Sequence, residues 1–176
     1  SGLLFVGALH PDTPNEDGLV WFITEVMPRL RTLLPHAPVL SVVGINRSRR
    51  VSDLASEDVQ LIGPVDNLEP LYDRARVFVA PVRFAGGVPA KVIEAAAHGV
   101  PVVASAVLVR QLDWSEGIDI QSARDADAFA RGIARLLRDD ERWARQQRAA
   151  WDQCDARYSP ERFGHILRDA LSGAPR

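Results

Sequence analysis

Apolar residues along this chain fall into two kinds of segment that alternate. Short strand-like runs lie at residues 3–6, 38–43, 59–62, 77–80 and 101–104, those at 77–80 and 101–104 apolar throughout and without the in-and-out alternation of a half-exposed strand. Such runs predict strands of a parallel sheet covered on both faces. Between them, apolar positions recur at helical spacing. Leu19, Phe22, Ile23, Val26, Met27 and Leu30 form one stripe, which predicts a helix over 15–34. A short helix ending near 56, a helix over 68–74 and a helix opening at Pro89 continue the alternation. Residues 117–120 read as the last short strand. Residues 126–137 read as an amphipathic helix with Phe129, Ile133, Leu136 and Leu137 on one side, followed by helices over 141–158 and about 160–172. This order predicts a Rossmann-like α/β fold, a doubly wound parallel sheet of about six strands with helices on both faces. No repeat, low-complexity tract or linker interrupts residues 1–176, which read as one domain.

The densest chemistry lies between the runs at 77–80 and 101–104, a span of the size of one βαβ unit. Gly86 and Gly87 lack a Cβ, so backbone there can approach a ligand closely. Pro89 suits the first turn of a helix, where its missing N–H costs nothing. The amides of Gly87 and Val88 would then face outward at a helix N-terminus, a natural anion site. Lys91 and Glu94, three apart, share one helix face. They offer a cation for a diphosphate and a carboxylate for sugar hydroxyls. The same spacing equally makes a solvated ion pair worth a few tenths of a kcal/mol. Both readings stand on spacing alone.

The run A-P-V-R-F-x-G-G-V-x-x-K-V-x-E-A-x-A-x-G-x-P-V-V-A-S over residues 80–105 resembles the nucleotide-binding segment of retaining GT-B glycosyltransferases of group 1. The resemblance extends to Phe5-Val6-Gly7, Pro14-Asn15-x-Asp17 and Trp21-Phe22-x-x-Glu25-Val26-x-Pro28. It continues through Val42-Val43-Gly44, Leu61-Ile62-Gly63-Pro64-Val65 and Leu68-x-Pro70-Leu71-Tyr72-x-x-Ala75. It implies the C-terminal, donor-binding half of an enzyme that moves a sugar from a nucleoside diphosphate sugar, with retention. The acceptor would be held by an N-terminal domain expected to be absent from these 176 residues, so the fragment alone is expected to be inactive. Polysaccharide assembly in bacteria is the setting the family suggests. By resemblance the donor is contacted at Gly7, Gly86, Gly87 and Val88, with Pro64, Val65 and Leu68 flanking the nucleobase. Lys91 and the Gly87 and Val88 amides would stabilise the leaving diphosphate without a divalent metal, and Glu94 would hold the ribose; Lys91 and Glu94 are the catalytic candidates.

The chain departs from the family pattern in places. The first acidic residue of the family's E-x7-E pattern is replaced by Gly86. Where relatives carry a basic residue after the first strand, this chain reads Thr13-Pro14-Asn15-Glu16. Residues 106–114, read as a loop, receive no ligand contact. His10, at the carboxyl edge where such sheets bind ligands, and the arginines of residues 46–50, which could meet a diphosphate, are read first as exposed loop side chains.

Composition removes other classes. Hydrophobic and charged fractions of 47% and 25% are those of a globular protein, and a net charge of −2 leaves no basic footprint for nucleic acid. The lone cysteine, Cys154, excludes an internal disulfide and suits a reducing cytoplasm. No apolar run reaches the ~18 residues needed to cross a bilayer, and no signal peptide is visible. Any peripheral membrane contact is left to the other half. Lys91 is the only lysine of the chain. No G-x-G-x-x-G follows the first strand, which favours a nucleotide sugar over a dinucleotide. Two other readings compete: a degenerate, non-catalytic nucleotide-binding or scaffold module, and a simple phosphate binder, which leaves the matches over 5–72 unexplained.

Overall fold

The computed structural model describes residues 2–84, 89–112 and 114–158. Its strands are β1 (Gly2–Val6), β2 (Val39–Val43), β3 (Val59–Gly63), β4 (Ala75–Ala80), β5 (Val102–Ser105) and β6 (Gln121–Ala123). They form one sheet in the order β3-β2-β1-β4-β5-β6, and every pairing is parallel. The helices are α1 (Pro14–Trp21), α2 (Met27–Leu33), α3 (Arg49–Ser52), α4 (Glu69–Arg74), α5 (Ala90–Ala97), α6 (Ala106–Leu112), α7 (Ala126–Arg138) and α8 (Asp140–Tyr158).

The continuous apolar runs do what a two-sided sheet requires. Successive side chains of a strand point to opposite faces, so β1, β2, β4 and β5 each supply two cores, while the edge strand β3 gives Val59 and Leu61 to one and leaves Ile62 exposed. Leu3 and Phe5 of β1, with Val77 and Val79 of β4, pack on one face against α1, α2 and α7 residues such as Leu19, Leu30 and Phe129. Leu4, Val6, Phe78 and Ala80 pack on the other, with Tyr72, Val92, Leu108 and Ala150 from α4, α5, α6 and α8. The expected α/β sandwich is the one observed. Helix α8 is tied over the start of β5 by polar side chains: Gln146 Nε2 donates to the Val102 carbonyl at 2.9 Å and Gln147 Nε2 to that of Gly99 at 2.9 Å.

Several local boundaries differ from the sequence expectation. The helix expected over 15–34 is interrupted by a π-helical turn at Phe22–Val26, where the Met27 amide donates to the Phe22 carbonyl. Pro28 has no N–H for the Thr24 carbonyl, and its ring would crowd it, so a widened turn just upstream relieves the conflict. Residues 106–114, expected as a loop, contain helix α6, whose Leu108, Val109 and Leu112 are buried. The last strand is Gln121–Ala123 rather than 117–120, because Gly117 takes φ +80° and its amide closes a turn on the Ile120 carbonyl at 2.8 Å. The short helix ends at Ser52, before 56, and the helix expected from residue 68 begins at Glu69. The tail helix expected over 160–172 lies outside the described residues.

Two features fix the chain around the carboxyl end of β1. Gly18 presses α1 against backbone: a Cβ there would lie 2.5 Å from the Pro81 carbonyl oxygen. Glu16 is 2% exposed yet fully engaged. Its carboxylate accepts from the Asp12 amide at 2.8 Å and from the Ser48 hydroxyl, with Arg50 at 3.7 Å. The Ser48 hydroxyl in turn accepts from the Val51 amide at 3.1 Å, so one carboxylate joins the β1 loop, α1 and α3. These bonds, led by Ser48 and then Asp12, hold the Glu16 carboxyl below its usual range.

Gly18→Ala is therefore expected to cost about 1–3 kcal/mol, read as a lower urea midpoint at an unchanged m-value. A depressed folded-state pKa contributes stability above the ordinary glutamate value of 4.5 that is lost as pH falls through the folded value. Glu16→Gln should accordingly lower stability at neutral pH by about 1–3 kcal/mol and flatten the loss of stability below that pH, measured by denaturation across an acid series.

Candidate functional site

Strand order reverses between β1 and β4: β2 and β3 are added outward on one side, β5 and β6 on the other. The connections leaving these two central strands therefore part to opposite directions, opening a crevice at their carboxyl ends. A cavity of about 500 Å³ lies there, walled by Val6, Gly7 and Ala8 after β1 and by Ala80 and Val82 after β4. Thr13 and Asn15 at the start of α1, Pro89, Ala90 and Lys91 at the start of α5, and Leu108 of α6 complete the wall.

Close backbone contact builds the β1 side of this wall. The Gly7 amide donates to the Val43 carbonyl at 2.9 Å, and the Gly44 amide to that of Gly63 at 2.9 Å. Gly44 has φ +130°, and a Cβ on it would sit 2.3 Å from the Gly7 carbonyl oxygen. Only glycine permits this approach. The turns ending β1, β2 and β3 are thus laid side by side. Asn15 Nδ2 donates to the Ala8 carbonyl at 3.0 Å, pinning the loop to α1.

On the β4 side, the chain is anchored as it leaves the sheet. Arg83 grips Asp17 of α1 with both ends of its fork, Nε at 2.7 Å and a terminal nitrogen at 2.5 Å, and its guanidinium lies 5.8 Å from the centre of the Trp21 ring. The Arg83 bond keeps the Asp17 carboxyl below its usual range. The Ser105 hydroxyl donates to the Val82 carbonyl, closing the strand ends together. Helix α5 then starts with Pro89 at its cap, one position before the first-turn place expected for it, and no side chain caps it. The amides of the first helical turn precede the helix's own hydrogen-bond ladder and carry the positive end of its dipole. Ala90 and Lys91, which belong to that turn, face the cavity wall.

Lys91 and Glu94 meet as an ion pair, Nζ to Oε2 at 2.7 Å, with side chains 48% and 33% exposed. The solvated helix pair that spacing allowed is present, and it stands beside the cavity. Behind Glu94, Tyr72 of α4 is buried and stacks on His98, ring centres 4.5 Å apart and planes 11° apart. Burial first, then the nearby Glu94 charge, push the Tyr72 phenol upward. Its hydroxyl has no hydrogen-bond partner among the described residues.

Of the residues singled out in the sequence, Gly7 and Lys91 line the cavity, and Glu94 joins it through Lys91. Pro64 and Val65 are exposed on the same sheet edge but do not line it; Leu68 is half-buried and packs against the core containing Tyr72. Gly86, Gly87 and Val88 lie outside the described residues. His10 is not in the wall, and its carbonyl accepts from the Thr13 hydroxyl at 2.8 Å. Sequence reasoning passed over Thr13, Asn15 and Leu108 as wall residues. The helical spacing of Leu108, Val109 and Leu112 was the available signal for α6. No cluster of three or more His, Cys, Asp or Glu suited to a metal ion occurs among the described residues.

The family model for glycosyl transferases group 1 matches residues 1–139. The chain belongs to that family. Solved structures of GT-B glycosyltransferases share its fold. HepE of Anabaena, crystallised with UDP and glucose, is 14% identical with a TM-score of 0.76, covering 98% of this chain and 48% of its own. Sucrose-phosphate synthase of Thermosynechococcus elongatus is 23% identical, TM-score 0.73, covering 98% of this chain and 46% of its own. The C-terminal domain of the group 1 protein LpcC of Francisella tularensis is 14% identical, TM-score 0.71, covering 90% of this chain and 87% of that domain. No curated protein matches the chain. The group 1 chain thus spans about half the length of HepE and of the synthase, and matches nearly all of an isolated C-terminal domain. The resemblance stated from the motifs is borne out for family and fold.

An exposed i,i+3 pair is worth only a few tenths of a kcal/mol. Lys91→Ala and Lys91→Gln are therefore expected to leave the unfolding free energy within about 0.5 kcal/mol, checked by denaturant titration. A larger loss would make the pair a structural strut rather than an available binding group.

Proposed function

We propose that this chain is the donor-binding half of a two-domain glycosyltransferase and takes the nucleoside diphosphate of its sugar donor at the β1/β4 crevice. The observation that carries the reading is the 500 Å³ cavity at the reversal of strand order, with the start of α5 and Lys91 on its wall. Its volume falls within the range of small-ligand sites, about 300–1,000 Å³. The diphosphate lies against the first turn of α5, where outward amides and the helix dipole favour negative charge. Lys91 turns from Glu94 to the phosphate oxygens, and Glu94 accepts from the ribose hydroxyls. Each charged hydrogen bond so formed contributes about 1.5–3 kcal/mol, against a few tenths for the pair it replaces. Ligand therefore wins the exchange.

In the transfer step the bond from the sugar's anomeric carbon to the diphosphate oxygen breaks, and negative charge gathers on the departing diphosphate. Lys91 and the α5 amides offset that charge as it develops, without calling on a divalent metal. The Gly86, Gly87 and Val88 contributions rest on the sequence motif, as do Pro64, Val65 and Leu68 at the nucleobase. By family resemblance the sugar is transferred with retention, and a second, N-terminal domain supplies the acceptor pocket. The 176 residues alone are accordingly expected to show no turnover.

Calorimetric titration of the chain with UDP, GDP and ADP tests the reading; HepE, which was crystallised with UDP, makes UDP the first choice. One nucleotide should bind, and Glu94→Ala should weaken it by at least tenfold, or about 1.4 kcal/mol. A folded chain that ignores all three at millimolar concentration would overturn the donor site and leave a degenerate, non-catalytic module as the better account.

A further inference from the structure

We infer that Tyr72 is a positioning residue for Glu94, a hydroxyl held in reserve that takes over the carboxylate when Lys91 leaves it for the diphosphate. This rests on the donor-site reading above. Tyr72 is 1% exposed and one of the largest fully buried side chains, yet its hydroxyl has no hydrogen-bond partner among the described residues. A buried hydroxyl without a partner is a standing cost that phenylalanine, filling the same volume, would not carry. The hydroxyl therefore has a use only if a partner comes to it.

The surroundings name that partner. The Tyr72 ring is clamped flat on His98, and the His98 amide donates to the Glu94 carbonyl at 3.0 Å, so ring and carboxylate are one turn of α5 apart. On its other side the ring lies 6.3 Å from Phe78 in the apolar core, which offers the hydroxyl nothing. The Glu94 carboxylate stands close enough to raise the phenol pKa, after burial itself, both by its charge and as an acceptor for the hydroxyl, yet no hydrogen bond between them is formed. Glu94 Oε2 is occupied by Lys91 at 2.7 Å. When Lys91 turns to a diphosphate, Glu94 loses its donor and is free to swing. Tyr72 reaches it from the core side, while the ribose approaches from solvent. A hydrogen bond from the phenol restrains the carboxylate with one oxygen held and the other presented to the sugar. The stack on His98 supplies the rigidity that such a restraint needs.

The test compares Tyr72→Phe with the unaltered chain and with Glu94→Ala, titrating each with UDP, GDP and ADP and with their 2′,3′-dideoxy analogues. Tyr72→Phe is expected to melt no lower than the unaltered chain, to bind the preferred ribonucleotide about tenfold more weakly, and to bind its dideoxy analogue unchanged. A purely structural role would weaken both nucleotides alike or lower the melting temperature, and either result overturns the proposal. If Glu94→Ala weakens the ribonucleotide but not its dideoxy analogue while Tyr72→Phe behaves as the unaltered chain, the proposal falls and the donor reading stands. If Glu94→Ala leaves ribonucleotide binding unchanged or weakens both nucleotides alike, or no nucleotide binds, the ribose role of Glu94 fails and takes the proposal with it.

Discussion

Direct backbone-to-backbone approach around the end of β1 is the constraint on which the rest of this molecule depends. Gly44 meets the Gly7 carbonyl, and Gly18 meets that of Pro81, at distances no side chain could enter. These contacts bring α1 and the turns after β2 and β3 tight against the carboxyl edge of the sheet. Because strand order reverses next to β1, the same edge must also open where the connections diverge. The cavity is what remains between a tightly closed β2 side and the start of α5 on the β4 side.

Charge is distributed according to the same plan. The Glu16 carboxylate and the Asp17–Arg83 fork are saturated with hydrogen bonds and hold loops onto α1. Removing a partner of Glu16 leaves a buried charge and is costly, whereas the Arg83–Asp17 pair, with side chains 47% and 25% exposed, rests on its two-pronged geometry. Lys91 and Glu94 differ in joining no second element. Their pair is half-exposed and held only within one helix, and little is lost when it opens. A side chain that is cheap to release is suited to meet a ligand, whereas a saturated one is suited to build the wall. Tyr72 belongs to neither group, since it is buried and rigid but unpaired.

Much of this was legible in the residues. Continuous apolar runs specified parallel, two-sided strands, because a residue buried on either face must be apolar whichever way it points. The stripe from Leu19 to Leu30, the face of α7 and the span of α8 were read within a residue or two. Local chemistry also carried the family, since glycines, Lys91 and Glu94 at fixed spacing express a single βαβ turn. Less legible were α6, hidden because only its first four residues, Ala106 to Val109, are continuously apolar and so short a run suits helix or loop packing equally, and the π turn before Pro28, whose form depends on how the helix must lie on the sheet.

By itself, then, the sequence determined most of the strands and helices other than α6 and the last strand, how the sheet is covered, and which residue types wait at the turn into α5. These follow from periodicity and from the backbone limits of glycine and proline, which act within a few residues. Only the tertiary structure decided that strand order reverses at β1 and β4, and that Thr13, Asn15 and Leu108 share a cavity with Lys91. The same holds for Tyr72, stacked on His98 of α5. Such meetings join residues tens of positions apart, and they are settled by which faces can be buried against one another rather than by any local pattern.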